Sequence, residues 1–142
     1  MIALLDVNML IALFDAAHVH HQAAHGWMAA NRTQGWATCP VVQNGCLRVM
    51  SQPSYPGHLP VAEIARRLRQ ATASGEHVFW PDALEPTDSR RFRHENVLSS
   101  KSLTDVYLLG LAVHHDGRLV TFDRTVPLHA VVDADPKHLV VL

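Results

Sequence analysis

Residues 1–14 read MIALLDVNMLIALF, and this stretch predicts how the fold begins. The continuous apolar run Ile2 to Leu5 is typical of a strand covered on both faces of a sheet, and Asp6 stands at its carboxyl end. Asn8 can then cap a helix over residues 9–14. The segment has no positively charged start, and Asp6 and Asn8 interrupt its apolar run. We therefore interpret it as the first strand and helix rather than as a signal peptide.

A second strand with the same ending lies near the other end of the chain. Arg118 to Phe122 is mostly apolar and is followed by Asp123. Shorter extended stretches are predicted over residues 36–40, 77–80 and 138–142. Helices are predicted over residues 20–30, 41–50, 61–72, 87–95 and 103–115. Because strands alternate with helices throughout, the sequence predicts an α/β fold with a central, mostly parallel sheet flanked by helices.

Length and composition limit the class of protein. The 142 residues fit one domain spanning 1–142, and 48% hydrophobic against 18% charged residues predicts a packed core rather than disorder. The formal net charge of -1 lacks the strongly basic balance of many nucleic-acid-binding proteins. No apolar stretch is long enough to cross a bilayer. Cys39 and Cys46 are too far apart along one predicted helix for a disulfide, so we expect a reduced, cytoplasmic protein.

Three aspartates are predicted to meet at one edge of the sheet. Asp6 and Asp123 each follow a strand, and Asp105 lies in the first turn of the helix that begins near Leu103. Ligands of open α/β sheets bind beyond the carboxyl ends of the strands. Clustered carboxylates repel one another unless a cation lies between them, and Mg²⁺ or Mn²⁺ prefers such oxygen ligands. The pattern therefore predicts a metal site suited to phosphodiester hydrolysis.

Each aspartate also has a simpler interpretation. Asp6 and Asp123 are residues that commonly begin the turns after strands. Ser102 and Asp105 have the spacing of a capping box at the start of a helix. From the residues alone, the metal site and these structural roles both remain open.

Three longer segments resemble a known family: LLDVNMLIALFDAAHVHH, ATCPVVQNGCLRVM and SLTDVYLLGLAVHHDGRLVTFD. Together they resemble the PIN domain and, within it, the VapC toxins of bacterial toxin–antitoxin modules. The resemblance covers nearly the whole chain. It implies a metal-dependent endoribonuclease on a Rossmann-like parallel sheet, with its acidic site at Asp6, Asp105 and Asp123. It also implies an RNA substrate, a homodimer and a cognate VapB-like antitoxin whose C-terminal segment occupies the active-site groove.

One position departs from the family pattern. The family commonly has Glu-Asn-Gly where this chain has Gln43-Asn44-Gly45. Glutamine keeps an oxygen acceptor but carries no charge, so Gln43 can orient a water and is a weaker ligand and base. We expect retained but weakened activity and a single metal. The alternative is a catalytically silent PIN-fold protein that binds RNA or the antitoxin.

Other residues are weaker candidates. A zinc site is disfavoured because the histidines near the first helices lack nearby cysteines, although two of them are one turn apart. A haloacid-dehalogenase type of phosphotransfer enzyme is disfavoured because Asn8 stands where that family has a second aspartate. Without the three aspartates, ten acidic residues remain against 12 basic ones, so the rest of the chain is mildly basic. Candidate phosphate contacts are Arg48, Arg91, Arg93, Lys101 and Arg124.

Overall fold

A five-stranded parallel sheet forms the centre of the computed structural model, which describes all residues from Met1 to Leu142. The strand order is β3-β2-β1-β4-β5, so β1 and β4 are neighbours at the centre although most of the chain separates them. Leu4 pairs with Ala37 on one side and Leu119 on the other. The strands are β1 Ala3–Leu5, β2 Trp36–Thr38, β3 His77–Phe79, β4 Arg118–Thr121 and β5 Leu139–Val141.

Helices cover both faces of this sheet. Right-handed crossovers from β1 to β2 to β3 put the first four helices on one face, and the return from β3 to β4 puts the fifth on the other. The contacts agree, because the first helix packs on the second and third and the third packs on the fourth, whereas the fifth has no comparable contact with any of these four. The helices are α1 Val7–Phe14, α2 His21–Asn31, α3 Pro40–Met50, α4 Val61–Thr72 and α5 Leu103–His114. The α/β class and parallel sheet predicted from the sequence are confirmed.

The core follows from the apolar runs that predicted the central strands. All three residues of β1 are buried, as are Leu119 and Val120 of β4. Helix α5 is buried from Val106 to Ala112, which matches a sequence that is apolar on every side of the helix. The N-terminal segment thus lies inside the core as predicted. No helix of the protein is long and apolar enough to cross a membrane.

The start of α1 differs from the prediction. Asp6, rather than Asn8, is the N-cap residue, and its side chain accepts a hydrogen bond from the backbone N–H of Val7. Asn8 lies inside α1 and turns toward β4 instead. Both residue types are good caps, so contacts with the distant strand decide between them.

Two other local predictions are wrong. The helix predicted over residues 87–95 is replaced by turns, a bridge between Phe92 and Val131, and one 3-10 turn over His94–Asn96. Phe92 is 2% exposed, so its burial in the core overrides local helix preference. Cys39 lies one residue before α3 instead of inside it, and both cysteines are buried free thiols.

Candidate active site

Asp6 is held rigidly at the centre of the sheet edge. It follows β1, where Leu5 pairs with Val120 of β4, and it is 5% exposed. Its Oδ1 accepts a hydrogen bond from the Val7 N–H (2.7 Å), and its Oδ2 accepts one from the Thr121 hydroxyl (2.6 Å). Burial nevertheless raises the pKa of Asp6, because these two bonds offset only part of the desolvation cost.

The hydroxyl of Thr121 connects three parts of the site. It accepts hydrogen bonds from Asn8 Nδ2 (3.1 Å) and from the backbone N–H of Asp123 (3.0 Å), in addition to the bond that it donates to Asp6. Asn8 Oδ1 also accepts a hydrogen bond from the N–H of Phe122 (3.3 Å). Thr121 is fully buried, so this network fixes the end of β4 against the start of α1.

Asp123 is oriented by the turn that follows β4. Its Oδ1 accepts hydrogen bonds from the backbone N–H (2.7 Å) and the hydroxyl (2.6 Å) of Thr125. These two bonds lower the pKa of Asp123, so it is ionised at neutral pH. Sequence reasoning did not single out Thr125, although a threonine two residues after an aspartate is a recognisable turn pattern.

Asp105 joins the other two carboxylates from the first turn of α5. Burial raises its pKa to about 7, and the negative charges of Asp6 and Asp123 contribute to this rise, together with a hydrogen bond shared with Asp123. Ser102 makes no side-chain cap bond to α5, so the capping box considered above does not form. The structure therefore places Asp105 beside Asp123 and close enough to Asp6 for the charges of the three side chains to influence one another.

A cleft of about 450 Å³ opens over this edge. Asp6 and Asp105 line it, and Arg48 in the last turn of α3 is the one lysine or arginine on its wall. Asp123 lies outside the wall, beside Asp105. The other lining residues are Val7, Asn8, Ile11, Val41, Asn44, Gly45 and Thr104. The cleft therefore combines a negative centre with one cationic side chain at its border.

The donor set fits a hard divalent cation by its chemistry. The pKa values of Asp6 and Asp105 are raised in part by their carboxylate neighbours, and a positive charge between these side chains would relieve that repulsion. No three histidine, cysteine, aspartate or glutamate side chains of the chain already have the spacing of a metal-binding cluster. The residues thus supply suitable oxygen ligands without forming a complete coordination shell.

Gln43 is not brought to the carboxylates. It lies on α3, and its Nε2 donates a hydrogen bond to Thr38 Oγ1 (3.0 Å) at the end of β2. Thr38 Oγ1 is in turn 2.8 Å from His77 Nε2. Gln43 is absent from the cleft wall, where the next two residues, Asn44 and Gly45, are found.

Most of the weaker candidates lie elsewhere. The histidines that suggested zinc bind backbone carbonyls, since His21 Nδ1 is 2.7 Å from Ala12 O and His25 Nε2 is 3.0 Å from Leu13 O. Arg93 donates to the carbonyls of His129 and Val131 and does not line the cleft. Among the candidate phosphate contacts, only Arg48 lines the cleft.

The chain matches a known family along most of its length. The family model described as PIN domain matches residues 3–132. Ribonuclease VapC44 of Mycobacterium tuberculosis (strain ATCC 25618 / H37Rv) is 46% identical over 140 residues, which cover 99% of each chain. Ribonuclease VapC38 of the same strain is 39% identical over 125 residues, which cover 87% of this chain and 86% of the relative.

Solved structures agree on the fold. A crystal structure of Mycobacterium tuberculosis VapC20, described as a sarcin-ricin loop cleaving toxin, superposes with a TM-score of 0.63 at 14% identity and covers 94% of this chain and 99% of that one. VapBC2 from Rickettsia felis, bound to a DNA fragment from its promoter, gives a TM-score of 0.62 at 13% identity, covering 87% and 89%. Identity as high as that to VapC44 over the full length shows more than the fold. The chain belongs to the PIN-domain family and, within it, to the VapC ribonucleases.

Proposed function

We propose that this protein is the toxin of a toxin–antitoxin module and acts as a metal-dependent endoribonuclease. The observation that carries the proposal is the meeting of Asp6, Asp105 and Asp123 beside a cleft with one arginine on its wall. Its VapC relatives are named ribonucleases, which supports RNA as the substrate. The three carboxylates are the proposed ligands of Mg²⁺ or Mn²⁺.

The side chains at this site would have different roles in the reaction. Asp6 and Asp123 are each held by two hydrogen bonds from the protein, so their remaining lone pairs are fixed in direction. Asp105, with a pKa raised to about 7, can hold or release a proton at neutral pH. Arg48 would bind a phosphate oxygen of the RNA from the cleft wall. A bound divalent ion supplies charge stabilisation at phosphorus and a more acidic water.

The partners follow from the relatives. The Rickettsia felis structure is a VapBC complex, which supports a VapB-like antitoxin for this chain. We propose that the antitoxin covers the cleft, that the toxin is a homodimer, and that it acts in the cytoplasm on RNA. Size measurement of the purified protein, alone and with the product of an adjacent small reading frame, tests the dimer and the complex. Loss of RNA cleavage in that complex tests whether the antitoxin covers the cleft.

Cleavage of RNA by purified protein tests the activity. We expect cleavage in Mg²⁺ or Mn²⁺, none in EDTA, and loss in Asp6→Asn and Asp105→Asn to the level without metal. Glu95→Gln is a matched control, because Glu95 is an exposed carboxylate in a 3-10 turn that does not line the cleft. Absence of cleavage with either ion, together with no metal binding by calorimetry, would refute the enzyme proposal.

One observation favours a second candidate function. Gln43 replaces the family's usual glutamate and turns toward Thr38 instead of the cleft. A protein weakened in this way could bind RNA or the antitoxin without cutting. That function predicts RNA binding by the wild-type protein with no metal-dependent products under any of the conditions above.

A further inference from the structure

An aromatic pair, the exposed His20 and the half-buried Phe122, lies next to the acidic site. The ring of His20, in the connection between α1 and α2, stacks on the ring of Phe122 with centroids 4.3 Å apart and an interplanar angle of 10°. His18 lies 5.7 Å from His20 at 42°. Between these histidines, Val19 is 86% exposed. The connection therefore presents flat and apolar side chains to solvent.

The ring of His20 has no structural partner besides Phe122 and His18. The hydrogen bonds of His20 are made by its backbone, whose N–H donates to His18 Nδ1 (3.0 Å) and whose carbonyl accepts from Ala24. The rings of His21 and His25, by contrast, bind backbone carbonyls of α1. His20 thus covers Phe122 with one face of its ring, and the residue is exposed to solvent.

Phe122 ties this pair to the catalytic edge. Phe122 stands between Thr121 and Asp123, and its backbone N–H donates to Asn8 Oδ1 (3.3 Å). The hydrogen-bond network that orients the carboxylates therefore also holds the backbone of Phe122 in place. A nucleotide whose phosphate lies at the carboxylates would have its neighbouring base within the same region. Nucleobases stack on exposed aromatic rings in single-stranded RNA complexes.

We propose that His20 and Phe122 form a stacking platform for one unpaired base of the RNA substrate, flanking the phosphate that is cut. The proposal rests on the proposed function for the choice of RNA. The parallel ring geometry and the solvent exposure of His20 favour a flat base over an aliphatic side chain of a protein partner. Recognition by stacking tolerates any base and favours purines, which have the larger faces.

Binding in EDTA tests the platform without any cleavage. The probes are a fluorescein-labelled dodecamer of oligo(A) and an abasic ribose-phosphate strand of the same length, measured by fluorescence anisotropy at low salt. We expect His20→Ala to weaken oligo(A) binding about fivefold, the effect of about 1 kcal/mol, and to leave abasic-strand binding unchanged. His20→Phe should restore oligo(A) binding, and His25→Ala, an exposed histidine on α2, should bind like wild type.

Several results would overturn the platform. The first is that the wild-type protein does not bind oligo(A), and the second is that His20→Ala weakens binding of both strands equally. The platform would also be refuted if His20→Phe failed to restore oligo(A) binding, or if His20→Ala affected only the binding of the antitoxin. Failure of the nuclease proposal gives a different result, since the protein would then cut nothing while base-dependent binding persists. Conversely, cleavage with binding unaffected by His20→Ala would refute the platform and leave the nuclease standing.

Discussion

The hydroxyl of Thr121 joins Asp6 to Asp123 through a single buried oxygen. It donates to Asp6 Oδ2 at 2.6 Å and accepts from the Asp123 N–H at 3.0 Å. The two aspartates follow different strands, and this one atom sets both the direction of the Asp6 carboxylate and the path of the chain into Asp123. Thr121 is therefore a positioning residue for the proposed site.

Thr121→Val should damage both stability and activity. Valine keeps the shape of threonine but leaves Asp6 Oδ2, Asn8 Nδ2 and the Asp123 N–H without this partner, so we expect unfolding to become easier by about 1–3 kcal/mol. Cleavage should fall mainly through kcat. Thr121→Ser is the control, because it keeps the hydroxyl. Denaturant unfolding and cleavage assays check both, and identical behaviour of the two variants would contradict the positioning role.

Gln43→Glu should raise cleavage activity if charge at this position contributes to the site. The added carboxylate can accept a hydrogen bond from the hydroxyl of Thr38, whose oxygen also lies 2.8 Å from His77 Nε2. A fourth negative group at this edge of the sheet would strengthen attraction for a divalent ion. Initial cleavage rates over a Mg²⁺ titration measure the change, with Gln43→Ala as the variant lacking any acceptor. An unchanged rate in both variants would place position 43 outside the reaction.

The central strands and their aspartates could be predicted because the signal is local. The apolar runs of β1 and β4 and the aspartate after each are visible in a few consecutive residues. The choice between Asp6 and Asn8 as the cap of α1 could not be read in this way. It depends on Thr121, which contacts both from 115 and 113 positions away in the chain.

Tertiary packing also explains the helix that was wrongly predicted over residues 87–95. Phe92 packs over Gly110 of α5, where any added Cβ would collide with the phenyl ring, and this contact holds the segment in an irregular path. The stacking of His20 on Phe122 is likewise a contact between distant segments. Sequence periodicity could not predict either contact, because it describes neighbouring residues and each contact joins two segments that are distant in the chain.

Gly45→Ala should destabilise the protein although alanine favours helices. A Cβ at Gly45 would lie 2.6 Å from Val7 Cγ2, so α1 and α3 would have to move apart next to Asp6. We expect a loss of about 1–3 kcal/mol in the free energy of unfolding. Gly26→Ala is the control, since nothing lies within 4 Å of its added Cβ and the substitution should stabilise α2 by up to about 1 kcal/mol. Thermal unfolding distinguishes the two variants. Adding Val7→Ala should restore stability to Gly45→Ala, because it removes the side chain that the new Cβ would meet. A double variant no more stable than Gly45→Ala alone would contradict the packing argument.

Asp105→Asn should stabilise the metal-free protein, and more so as pH rises. The pKa of Asp105 is raised from 3.8 to about 7, so ionising this group costs folding free energy that grows between those values and is constant above pH 7. A rise in pKa from 3.8 to about 7 corresponds to at most about 4 kcal/mol, and solvent screening at the half-buried Asp105 reduces this. Removing the charge should therefore add about 2 kcal/mol at pH 8 in EDTA and less at pH 5.

The matched control for this change is Asp123→Asn. The pKa of Asp123 is lowered by its bonds with Thr125, so its charge favours the folded state at neutral pH and its removal should give no gain. A ligand that binds only the folded state raises its stability. Because Asp105→Asn lacks one proposed ligand of the ion, adding Mg²⁺ should stabilise the wild type more than this variant. Thermal unfolding at pH 5 and pH 8, with and without Mg²⁺, measures all four cases. Equal stability of Asp105→Asn and wild type in EDTA at pH 8 would show that the ionised Asp105 carboxylate does not destabilise the folded protein.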